Sequence, residues 1–131
     1  MTKKCCCSNN VTLIFPCSGA SDVGELSDRV ARRMMKSGIG KMYCLAGIGG
    51  HVEDIINNTK ESDEIIIIDG CSTLCALKTL EHAGLKGKSI NLEELGFVKG
   101  QSTVKDDIIS KAFAKINEKL NMIKKETKNE I

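Results

Sequence analysis

Glu64-Ile65-Ile66-Ile67-Ile68-Asp69, followed at once by Gly70-Cys71, is the stretch on which the fold turns. Four consecutive isoleucines do not alternate polar with apolar. A solid β-branched run bounded by charge and glycine suits a central strand of a parallel sheet, buried on both faces. Upstream, Val11-Thr12-Leu13-Ile14-Phe15 predicts a first strand stopped by Pro16. After the loop Cys17-Ser18-Gly19-Ala20, apolar residues at Val23, Leu26, Val30, Met34 and Met35 predict an amphipathic helix over Ser21 to Lys36. Ser21 or Asp22 is placed to cap it, and Gly38 ends it. Lys41 to Ala46 reads as a second strand that breaks at Gly47-Ile48-Gly49-Gly50, and His51 to Asn58 as a short second helix. Downstream, Cys71 to Ala83 predicts a third helix closed by Gly84, and Lys88 to Leu92 a weaker fourth strand. Val104 to Lys124 predicts a long helix with Ile108, Ile109, Ala112, Phe113, Ile116 and Leu120 on one side. Strands alternating with helices imply an α/β domain: a three-layer Rossmann-like or flavodoxin-like architecture with a mainly parallel sheet of about four strands flanked by helices. The expected organisation is a Cys-rich arm over 1–10, one domain over 11–124, and a frayed tail over 125–131.

Composition narrows the function. A chain of 131 residues buries one sizeable core, and its net charge of +2 comes from interspersed signs rather than a basic face. Aromatic residues make up 3%, too few for a base-stacking platform, so nucleic acid is excluded as a partner. The longest aliphatic run, Ile65 to Ile68, is far below the roughly 18 apolar residues of a membrane span, so no membrane partner is expected. Lys3-Lys4-Cys5-Cys6-Cys7 runs into Ser8-Asn9-Asn10 rather than an apolar stretch, which is not the pattern of a secretory signal. The expectation is a protein of the reducing cytoplasm. Seven cysteines are the anomaly. An odd count in such a compartment points to metal binding or thiol chemistry instead of a disulfide framework.

Cys17, Cys44 and Cys71 recur at a constant interval of 27 residues (44 − 17 and 71 − 44), once per βα unit. Each falls at or just past the carboxyl end of a predicted strand, the edge at which open α/β sheets bind ligands. Cys75 follows Cys71 by four residues, so two thiols on one helix would share a face. Four thiolates suit one tetrahedral zinc at about 2.3 Å per sulfur. An iron–sulfur cluster uses the same donors and is the alternative metal group. Helix N-termini at this edge would stabilise thiolates, but they would equally welcome phosphate or carboxylate, so electrostatics leaves the ligand open. Free cysteines packing as small hydrophobes are the bland alternative.

The segments Pro16-Cys17-Ser18-Gly19, Cys44-Leu45-Ala46-Gly47-Ile48-Gly49 and Asp69-Gly70-Cys71-Ser72-Thr73-Leu74-Cys75 together resemble the Asp-Gly-Cys (DGC) domain family, over roughly residues 11 to 120. The resemblance implies a zinc-binding protein whose four chelating cysteines map to Cys17, Cys44, Cys71 and Cys75. It implies no defined biochemical role beyond metal sensing, storage, delivery or a metal-dependent site. Cys5, Cys6 and Cys7 lie outside the resemblance; they read either as an adventitious thiol cluster or as an arm folding over the site.

Two nearby residues are accessory candidates. Asp69 is placed to accept N–H bonds from the third helix or to orient a metal ligand. His51, at the start of the second helix, reads as an added ligand, a proton-transfer group or a plain exposed residue. His82, near the end of the third helix, is expected at the opposite edge. A different class of function makes Cys17 the nucleophile or redox thiol of an enzyme, its loop facing helix N–H groups. Against that reading, Val23-Gly24-Glu25 stands where a cysteine phosphatase loop would place an arginine, and no Cys-x-x-Cys pair occurs. A module for a small anionic ligand is a third class.

Overall fold

A computed structural model describes residues 10–129. Cys5, Cys6, Cys7 and all of the expected arm except Asn10 lie outside the described residues. The strands are β1 (Thr12–Pro16), β2 (Lys41–Met42), β3 (Glu64–Asp69) and β4 (Lys88–Asn91). The helices are α1 (Asp22–Lys36), α2 (Leu45–Gly49), α3 (Glu53–Glu61), α4 (Cys75–His82) and α5 (Asp106–Asn129), with a 3-10 turn over Leu92–Leu95 after β4. The four strands form one parallel sheet in the order β2-β1-β3-β4. This is the flavodoxin-like arrangement, in which the strand order reverses between β1 and β3.

The isoleucine run sits where its composition places it, between β1 and β4. Ile66 and Ile68 face α1 and α5 with Ile14 and Ile90, while Ile67 faces the other helices with Leu13, Phe15, Ile48, Ala76 and Leu80. Both faces of β3 are thereby buried, and the sheet is the middle of three layers. On α1, Val23, Leu26, Val30 and Met34 form the buried stripe, and Ser21 caps the helix by accepting from the Gly24 amide at 3.1 Å.

Several boundaries differ from the sequence expectation, the second helix spanning Glu53–Glu61 instead of His51 to Asn58 so that His51 precedes it, and two of the differences move the site. The second strand is only two residues long: Cys44 already caps α2, so the glycine run expected to break a strand is helical. Gly47 makes this possible by close packing, since a Cβ there would meet the Ile55 side chain at 2.2 Å. The third helix starts at Cys75 instead of Cys71, after a turn in which Leu74 takes a left-handed conformation (φ 57°). Cys71 and Cys75 therefore do not share a helix face. The last helix runs on to Asn129, beyond Lys124. Among the described residues, no helix is long and apolar enough to cross a membrane.

Candidate functional site

The carboxyl ends of β1, β2 and β3 deliver the four cysteines to one edge of the sheet. Cys17 extends the β1–β3 ladder by one bond, its amide donating to the Ile68 carbonyl at 2.9 Å. The loop after it folds back onto α1. The Ser18 amide donates to Ser27 Oγ at 3.2 Å, and the Ser18 hydroxyl donates to Asp28 at 2.8 Å. Ser18 holds a left-handed conformation to do this (φ 52°). Cys17 Sγ lies 3.3 Å from Ser27 Oγ. A serine has one proton to donate, and that of Ser27 goes to the Gly24 carbonyl at 2.7 Å, so Cys17 is the donor in this contact.

Cys44 is exposed and makes no capping bond to α2. It follows Tyr43, whose amide donates to the Ile14 carbonyl at 2.9 Å and whose ring meets Phe15 edge-on at 6.0 Å. Together Cys17, Ser18, Arg32, Tyr43, Cys44 and Thr79 line an open cleft of about 510 Å³. Thr79 stands one turn along α4 from Cys75, and its hydroxyl donates to the Cys75 carbonyl at 2.6 Å. Cys75 is exposed at the first residue of α4.

The β3 end is organised by Asp69. Its carboxylate is buried and accepts the Ala76 and Leu77 amides at 2.7 and 3.1 Å, which fastens the first turn of α4 to the strand. Burial pushes this carboxyl above its ordinary range, against the lowering effect of the two amide bonds. Asp69 thus fills the capping role foreseen for it. Gly70 passes under the start of α1, where a Cβ would stand 2.6 Å from the Val23 carbonyl oxygen. Cys71 is half-buried in the turn that follows. The Thr73 hydroxyl and amide hold its thiol below the usual range, with a further lowering effect from the Lys99 charge. Glu93, from the turn after β4, accepts the Ser72 amide at 3.1 Å and also takes the Ser72 hydroxyl, pinning this loop from the far side.

The four thiols share an edge but are not gathered. Cys17 packs against the apolar cluster of α2 and α4, whereas Cys71 packs against that of α1 and α5. Among the described residues, no group of three or more His, Cys, Asp or Glu side chains is arranged to hold a metal ion. Four thiols from three connections fit a soft or borderline cation in donor chemistry; a closed shell is not preassembled.

The two histidines were expected at opposite edges, and the structure corrects this: their rings meet at 5.7 Å between centroids. His51 lies past the end of α2, His82 in the last turn of α4, both away from the thiols along those helices. Ser27, Arg32, Thr73, Thr79 and Glu93 were not anticipated as site residues. Arg32 reaches the cleft from the third turn of α1. Its guanidinium is paired with Asp28 at 2.6 Å, a pair that an i, i+4 reading of the helix reveals. A second cleft, of about 580 Å³, lies at the opposite edge of the sheet, where Glu64 and Lys88 neutralise each other.

Fold and site together define a doubly wound α/β domain that carries thiols at its ligand-binding edge. The pattern of the DGC domain matches residues 13–116, and the chain belongs to that family. It is similar to the anaerobic and virulence modulator AnvM of Pseudomonas aeruginosa, with 31% identity over 88 residues, which is 66% of this chain and 67% of that protein. No solved structure matches it.

Proposed function

We propose that this domain is a thiolate metal-binding protein with a regulatory role, taking one zinc ion through Cys17, Cys44, Cys71 and Cys75. The observation that carries the reading is the delivery of four thiols, two of them exposed, to the loops that follow three parallel strands, at the edge where such sheets bind ligands. The apolar layers on both sides of the sheet are built from buried side chains of the strands and helices, with Cys17 and Cys71 only packed against their margins, unlike the metal-centred cores of small domains that fold only around zinc. This favours an exchangeable ion over a structural one, as a sensor, store or delivery protein needs. The name of the Pseudomonas relative, a modulator, agrees with a sensing role.

The test is elemental analysis of untagged, reduced protein, combined with alkylation of the four thiols before and after chelation. The expected result is about one zinc per chain and thiols that react only once the metal is removed. Zinc content below half an equivalent, with no uptake from added zinc, refutes the proposal, and a visible absorption band would replace zinc by an iron–sulfur cluster.

A second reading, a thiol enzyme built on Cys17, is favoured by one feature: Cys17 opens onto a cleft of about 510 Å³ lined also by Cys44 and the Asp28–Arg32 pair. Immediate alkylation of Cys17, indifferent to chelator, would select it.

A further inference from the structure

We propose that His51 and His82 form a second metal site, an open two-imidazole chelate for a borderline divalent ion such as zinc or nickel, separate from the thiols. The rings come from different elements and meet at 5.7 Å between centroids, with their planes at 66°. Imidazole nitrogens bind zinc at about 2.0–2.1 Å and lie about 1.2 Å from their ring centre, so two rings on one tetrahedral ion have centres about 5.2 Å apart. The observed separation is half an ångström wider, within reach of small side-chain rotations. Both residues are exposed, and neither ring has a hydrogen-bond or ion-pair partner among the described residues. Their nitrogens are therefore not committed to protein groups. Water would complete the shell, which makes the site labile.

The backbone holds the pair in place. His51 takes a left-handed conformation (φ 55°), and its amide donates to the Ile48 carbonyl at 3.1 Å, which fixes the direction in which the ring leaves the chain. Gly49, two residues earlier, packs on Thr79 of α4, where a Cβ would meet the threonine methyl at 3.6 Å. Cys75 and His82 are the first and last residues of α4, so at about 1.5 Å per residue the two sites stand about 10 Å apart along one helix. One ion cannot serve both. Imidazole donors suit zinc, nickel and copper.

The chain has two histidines, so every imidazole resonance in its NMR spectrum reports on this pair. Zinc is titrated into the full, reduced chain while thiol alkylation is followed in parallel. Both rings are expected to shift together, in an equivalent distinct from any that protects the thiols. His51→Asn, which keeps a residue tolerant of the left-handed backbone, should weaken the response of His82 at least tenfold. His82→Ala should do the same to His51. Thiol protection should be unchanged in both variants. Rings that do not shift, or that shift independently of each other, overturn the site. Rings that move with the equivalent protecting the thiols make the histidines part of the thiol centre and also overturn it. If the thiols stay reactive in zinc while the rings still respond, the thiolate proposal fails and the histidine site stands.

Discussion

Gly70→Ala should destabilise the domain sharply, and Gly49→Ala should not. The Cβ at residue 70 would stand 2.6 Å from the Val23 carbonyl oxygen, 2.7 Å from its carbon and 3.0 Å from the Gly24 nitrogen. All three are backbone atoms of the first turn of α1, so no side chain can swing away. The helix cannot retreat toward the neighbouring loop either, because Gly24 is equally tight, with a Cβ position 2.6 Å from the Gly19 carbonyl oxygen. Relief requires moving β3 and α1 apart by most of an ångström, and overpacking of this kind costs about 1–3 kcal/mol. With an unfolding entropy of about 2.1 cal/mol/K per residue over about 120 residues, 2 kcal/mol lowers Tm by about 8 °C. At Gly49 the nearest atom is the Thr79 methyl at 3.6 Å, an ordinary contact, and a helical Gly→Ala exchange contributes about 0.5–1 kcal/mol of stability. Thermal unfolding followed by circular dichroism should show Gly70→Ala melting well below the parent and Gly49→Ala at or above it. Equal melting temperatures for the parent and Gly70→Ala would refute the close packing of α1 on the end of β3.

Asp22 accepts the Gly100 and Ser102 amides at 2.9 Å, tying the loop before α5 to the start of α1, and these bonds hold its carboxyl below the ordinary value of 3.8. A depressed folded-state value means stability that is present above pH 3.8 and lost as the pH falls through the folded-state value. Asp22→Asn should therefore cost about 1 kcal/mol near neutrality, discounted for exposure, and the gap to the parent should close in strong acid when urea unfolding is measured across the range. Thr73→Val removes the hydroxyl that favours the Cys71 thiolate but keeps the backbone bond. Alkylation of Cys71 near pH 7.5, read per cysteine by mass spectrometry, should slow a few-fold, and an unchanged rate would remove Thr73 from the site.

The layer order of the fold was legible because it depends on periods that single residues cannot disguise. Ile65 to Ile68 has no polar face, Val23 to Met34 has one, and a strand without a polar face must be covered on both sides. The short elements were not legible. Lys41 to Ala46 carries one strongly β-prone residue, Tyr43, and only Lys41 and Met42 pair with β1, because α2 is drawn down onto α3 and α4 through Gly47 and Gly49. That is tertiary packing overriding a weak local preference. The start of α4 was misplaced for a different reason. A helix start is sought in a capping residue one to three positions before the first free amides, but here Asp69 reaches Ala76 and Leu77 from seven and eight residues upstream, across the turn that holds Cys71.

The same turn explains why the cysteine interval was readable and the arrangement of the thiols was not. A repeat of 27 residues follows from equal βα units, and it brings Cys17, Cys44 and Cys71 to one edge whatever the loops do. Which way each sulfur faces is decided after the strand ends, where the alternation of a strand no longer applies. Cys17 is one residue past β1 and still bonded to Ile68, so it keeps strand-like order and falls on the α2–α4 side. Cys71 is two residues past β3, beyond Gly70, and its turn is held toward the 3-10 segment by Glu93, so it falls on the α1–α5 side. The hold of Glu93 on Ser72 therefore keeps Cys71 on the α1–α5 side, while Asp69 separately fixes the start of α4 and with it Cys75.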